Sequence, residues 1–127
     1  MARFFNVRGF LDCDYDDLPS IREIIDGYRT EGHRFHLSDS AVALYLDGWL
    51  FQKREINWIA HAFFGASMKA GGVDLVYDQL ENIARLIPEV SGVFFVDDEE
   101  NGPTLRWDVA QSEVVKRHTP VSPSDHP

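Results

Sequence analysis

The sequence predicts an α+β fold, a two-layer sandwich in which helices lie against one mainly antiparallel sheet. Three observations predict it. Segments 17–32 and 71–88 place apolar residues at helical spacing. Segments 3–12, 41–51, 56–66, 91–97 and 104–111 alternate or run apolar over strand lengths. The two kinds of segment interleave as β-α-β-β-α-β-β, so each helix has a sheet face on which to bury its stripe.

Each element follows from its residues. In "RFFNVRGFLD" (3–12), Phe5, Val7, Gly9 and Leu11 share one face of a strand. In "DLPSIREIIDGYRTEG" (17–32), Asp17 offers an N-cap and Pro19 suits the first turn. Ser20 and Glu23 offer a second start, and Gly32 a stop. Leu18, Ile21, Ile24, Ile25 and Tyr28 form the buried stripe of that helix. "AVALYLDGWLF" (41–51) and "INWIAHAFFGA" (56–66) read as strands of a hairpin joined by the polar "QKRE". In "GGVDLVYDQLENIARLIP" (71–88), Val73, Val76, Leu80, Ile83, Ala84 and Ile87 recur at helical spacing, and Pro88 ends the run. "SGVFFVD" (91–97) is a short buried-strand run, and "TLRWDVAQ" (104–111) alternates cleanly. Asn101-Gly102 between them is a turn signal. "SEVVKRH" extends the last strand, and 119–127, rich in proline and serine, is expected to be a flexible tail after a single domain over 1–118. The first six elements follow the ferredoxin-like β-α-β-β-α-β order, with one strand added at the C-terminus.

A chain of 127 residues is long enough to bury a core without staples. Its one cysteine, Cys13, excludes an internal disulfide and a cysteine zinc site. No apolar run approaches the length needed to cross a bilayer, which argues against a membrane partner. "MARFFNVRGFLDCDYDD" makes a poor signal peptide, so the expected location is the cytoplasm. The charge balance, 12 Lys and Arg against 21 Asp and Glu, gives a net charge of −9. That argues against direct nucleic-acid binding, which needs a basic footprint, and favours a basic protein partner or plain solubility.

The acidic run Asp97, Asp98, Glu99 and Glu100 falls at a hairpin tip. Consecutive carboxylates point apart, so they do not match a calcium loop, and neither a metal nor a cofactor is expected. An exposed tip also cannot raise a carboxyl pKa by desolvation. A docking edge or a solvated turn remains. Asp12, Asp14 and Tyr15 form a second acidic element after the first strand, and capping explains Asp16 and Asp17 better than it explains them. Trp49, Leu50 and Phe51 cannot all point inward, and Trp49 is a candidate anchor for a partner. Asn57, His61 and Phe63 share a strand face and offer a competing ligand-pocket site. Aspartates around Cys13 raise a thiol pKa, and neither a serine elbow nor a phosphate loop is present.

The stretch "LENIARLIPEVSGVFFVDDEENGPTLRWDV" resembles small immunity proteins of bacterial polymorphic toxin and contact-dependent growth inhibition systems. A helix leads into a strand ending in Asp97-Asp98-Glu99, followed by a last strand and a tail with Ser122-Pro123 but no cysteine. The resemblance implies a non-enzymatic cytoplasmic protein that binds and neutralises a cognate toxin domain, commonly a basic nuclease. An acidic face would then stand where the toxin expects phosphates. Two other classes compete: a ligand-binding or enzymatic domain with a pocket at His61, and a structural subunit that self-associates through a sheet edge.

Overall fold

A computed structural model describes residues 3–100, 102 and 104–118 of the chain. Among these residues the architecture is α+β, with an open six-stranded antiparallel sheet and three α-helices. The strands are β1 (Phe5–Cys13), β2 (Trp49–Phe51), β3 (Ala60–Met68), β4 (Ser91–Asp98), β5 (Leu105–Ala110) and β6 (Glu113–His118). The helices are α1 (Leu18–Asp26), α2 (Asp39–Leu46) and α3 (Ala70–Leu86). The sheet runs in the order β2-β3-β1-β4-β5-β6. The expected tail at 119–127 and Asn101 of the predicted turn lie outside the described residues.

The strand expected over 41–51 is corrected. Residues 39–46 form α2, and only Trp49–Phe51 join the sheet. The local cause is a cap: the Ser38 hydroxyl accepts the Ala41 N–H at 3.1 Å, and Asp39 lies in the first turn. The buried residues Val42, Tyr45 and Leu46 then fall at i, i+3 and i+4, while Leu44 points to solvent. A run of unbroken hydrophobicity hid that periodicity.

Three further boundaries move. The helix expected over 17–32 ends at Asp26 and continues as two 3₁₀ turns, Gly27–Thr30 and Gly32–Phe35. Tyr28 Oη donates to Asp78 Oδ2 at 2.6 Å, which ties this segment to α3. The expected hairpin connection "QKRE" is longer, because the sheet begins again only at Ala60. The last strand does not extend; it turns back as β6 through Gln111 and Ser112, at φ 51° and 70°. Two positive φ values define the mirror-image turn that suits a two-residue hairpin.

One face of the sheet carries the core. Val7, Leu11, Phe64, Phe94, Val96, Trp107 and Val109 are buried there in one cluster with Ile21 and Ile25 of α1, Val42 of α2, and Leu75, Leu80 and Ile83 of α3. Register sets an inward row across the strands: Trp49, Phe64, Gly9, Phe94, Trp107. Trp49 meets Phe64 at 5.0 Å and Phe94 at 6.0 Å, spanning the gap above Gly9. Both edges are blunted, since β2 has three residues and β6 carries Lys116, Arg117 and His118. Short or charged edges resist strand addition by another chain.

Candidate protein-interaction surface

Among the described residues no helix covers the opposite face of the sheet. Register places Leu50, Phe63, Phe10 and Val93 in one row across β2, β3, β1 and β4. Leu50 is 66% exposed and Phe63 46%. The neighbouring row holds Arg8, Phe95, Arg106 and Arg117. The guanidinium groups of Arg8 and Arg106 lie 5.4 and 6.0 Å from the Phe95 ring. Asp108 accepts from Arg106 Nε at 2.8 Å and from Arg117 Nε at 2.7 Å. Burial alone would raise the Asp108 carboxyl, but the two arginines outweigh it and hold its pKa below the usual range.

The acidic run stands at one end of this face and is largely tied down. Asp97 pairs with Arg8 and accepts from Thr104, and Asp98 pairs with Arg3. Glu99 Oε2 accepts from Ser67 Oγ at 3.2 Å, and the Glu99 N–H donates to the Phe4 carbonyl at 3.2 Å. Glu99 and Glu100 remain exposed. The accessible charge of the tip is therefore theirs more than that of Asp97 and Asp98.

The second acidic element stands at the other end. Asp97 pairs across from Asn6, whereas Asp12 lies at the far end of the same strand, about 20 Å away at the rise of a β-strand. The two elements do not meet. Asp12 Oδ1 lies 2.9 Å from His61 Nε2, across a register pair. Asp14 opens the turn before α1, its N–H donating to Asp17 Oδ2 at 3.4 Å. Tyr15 Oη donates to the Lys53 carbonyl at 3.2 Å and lines a cavity of about 410 Å³ with Leu18, Arg22 and Gln52.

Trp49 is placed in the core, 5% exposed, with Nε1–H donating to Gln79 Oε1 at 3.2 Å. Of the three consecutive apolar residues, Leu50 is the one that faces solvent. Asn57 does not share a strand face with His61, because it lies in the loop before β3 at φ 58°. His61 stacks on Phe63 at 5.6 Å, and its Nδ1 lies 3.2 Å from Gln52 Oε1. It belongs to the open face, in register with Asp12 and on the same side of β3 as Phe63.

The sequence reading missed one feature. Trp58 is 89% exposed, and Ile56 and Ile59 beside it are each more than half exposed. A strand over 56–66, as expected, would set Ile56 and Trp58 in alternation with Ala60, Ala62 and Phe64, which are buried. The left-handed backbone at Asn57 breaks that alternation. A lone asparagine between large apolar residues was the available signal, since asparagine tolerates this conformation.

Chemistry at the single thiol is suppressed. Burial raises the Cys13 pKa to about 11, reinforced by Asp17, Asp14 and Asp12. Native protein at pH 7 is expected to react with a thiol reagent orders of magnitude more slowly than unfolded protein. Rapid labelling of the folded chain would contradict the buried placement. Among the described residues no three His, Cys, Asp or Glu side chains stand close enough to hold a metal ion. Among them, too, no helix is long and apolar enough to cross a membrane.

No protein-family model, curated protein or solved structure matches this chain.

Proposed function

We propose that this chain is an immunity-type inhibitor, a non-enzymatic cytoplasmic protein that binds and neutralises a basic toxin domain. The observation that carries the proposal is the uncovered sheet face. Leu50, Phe63, Phe10 and Val93 form an apolar row across the strands there, and acidic groups stand at the two ends of the face along the strands, Glu99 and Glu100 at one and Asp12 and Asp14 at the other. Contiguous exposed apolar surface with a polar rim is characteristic of protein interfaces. A net charge of −9 favours encounter with a basic partner over a nucleic acid. The resemblance of residues 80–109 to toxin-immunity proteins supports the same class.

We also read the scaffold as ferredoxin-like, with α2, β5 and β6 as additions. Support comes from the antiparallel β2-β3-β1-β4 order and from helices α1 and α3 following β1 and β3.

The test is co-expression with the product of the adjacent upstream reading frame. That product alone is expected to arrest growth, and this chain to restore it and copurify at fixed stoichiometry. Toxicity unchanged by this chain would remove the proposal.

A further inference from the structure

The loop at residues 52–59, between β2 and β3, sets three large apolar side chains in water. Trp58 is 89% exposed, Ile56 58% and Ile59 56%. Such exposure is costly to solubility and is uncommon unless something covers it. The loop is not loose. Its first residues are pinned by Gln52, whose Oε1 accepts the His61 N–H at 2.5 Å, and by the Tyr15 hydroxyl on the Lys53 carbonyl. Asn57 supplies the left-handed turn at φ 58° that carries Trp58 outward. A loop tethered at its first residues loses less entropy on binding than a free one.

The surroundings say what kind of surface fits. Ile59 lines a cavity of about 210 Å³ with Asp12, Asp14 and Glu89. Glu55 lies in the loop itself, as do Lys53 and Arg54. Four carboxylates against two cations leave this rim negative, on a chain that is negative throughout. A second copy would set like charge against like.

We infer that Trp58, flanked by Ile56 and Ile59, is the anchor of a docking surface for a basic protein. The indole enters an apolar cleft, while lysines or arginines around that cleft meet Asp12, Asp14 and Glu89. An aromatic anchor inside a charged rim is the usual energetic centre of such interfaces. The inference rests on the inhibitor proposal and narrows it to one end of the sheet.

Site-specific photo-cross-linking in the cell that makes this chain tests it. Trp58→benzoylphenylalanine is compared with the same change at Phe63, on the open face, and at Leu44, on the helix layer. The expected result is an adduct from position 58, none from 44, with one protein through a lysine- and arginine-rich peptide. Trp58→Ala is then expected to weaken the purified pair by about 30-fold or more without changing the chain's melting temperature. An adduct from 63 but not 58 overturns the anchor and leaves the inhibitor proposal standing. An adduct with a second copy of this chain, or with an acidic protein, overturns the partner's chemistry. No adduct from any position counts against both.

Discussion

Gly9→Ala is expected to cost about 3 kcal/mol, near the top of the range for overpacking a core. For a domain of this size that lowers the melting temperature by roughly 10 °C. The reason is the inward row. A Cβ at Gly9 would stand 2.3 Å from the Val93 carbonyl oxygen and 2.6 Å from both Phe94 Cα and Phe94 Cδ2. Two of those atoms are backbone of the paired strand, so a rotamer change cannot relieve the clash. The Phe94 ring lies across this glycine and meets Trp49 beyond it, so any shift propagates into the aromatic row. Gly92→Ala is expected to behave alike, with a Cβ 2.1 Å from the Phe10 carbonyl oxygen. Gly65→Ala is the internal control. It lies on the open face opposite Arg8, and nothing stands within 4 Å of its Cβ. That change is expected to shift stability by less than about 0.5 kcal/mol, since alanine also reduces unfolded-state entropy. Thermal melts of the three variants decide the matter. Equal melting for Gly9→Ala and Gly65→Ala would contradict the β1–β4 packing.

Gly9 also marks the limit of what a sequence exposes. Its place on the inward face of the first strand is legible from alternation with Phe5, Val7 and Leu11. The ring that requires it belongs to Phe94, and only strand order brings the two together. The α+β class, α3 and the pair β4–β5 were legible for the same local reason: α3 and β5 have clean apolar periods, and β4 is a short apolar run ended by an acidic turn. Residues 41–51 were not, because Ala41 to Leu46 is apolar at nearly every position and satisfies helix and strand templates equally. The Ser38 cap decides between them, and it lies before the apolar run. At the candidate surface, the acidic residues were visible as composition. Their partners, Arg3 and Arg8 on the paired strand segment, were not, so the tip looked more available than it is. Trp58 was hidden by an alternation that one left-handed residue ends.

Trp49 gives the sharpest contrast between what composition suggests and what packing assigns. Its indole N–H reaches Gln79 Oε1, and Gln79 is fully buried in α3. Gln79 Nε2 has no hydrogen-bond acceptor among the described residues. A buried amide half satisfied in this way depends on the bond it does make. Trp49→Phe is therefore expected to cost about 3 kcal/mol, combining lost volume with a second unsatisfied atom on Gln79. Gln79→Leu alone removes an unpaired donor but strands the indole N–H, so its net effect is expected to stay within about 1 kcal/mol. In the double variant both polar partners are gone, and Gln79→Leu becomes stabilising on the Trp49→Phe background. The two changes should couple by about 1 kcal/mol or more in a denaturant-unfolding cycle. Strict additivity would mean that the pair does not interact. The same variants separate core from interface. With Trp49 5% exposed, its loss should weaken partner binding only as far as it lowers the folded fraction. Trp58→Ala should do the reverse, sparing the fold because its indole stands in solvent, and weakening the complex in which it is the proposed anchor.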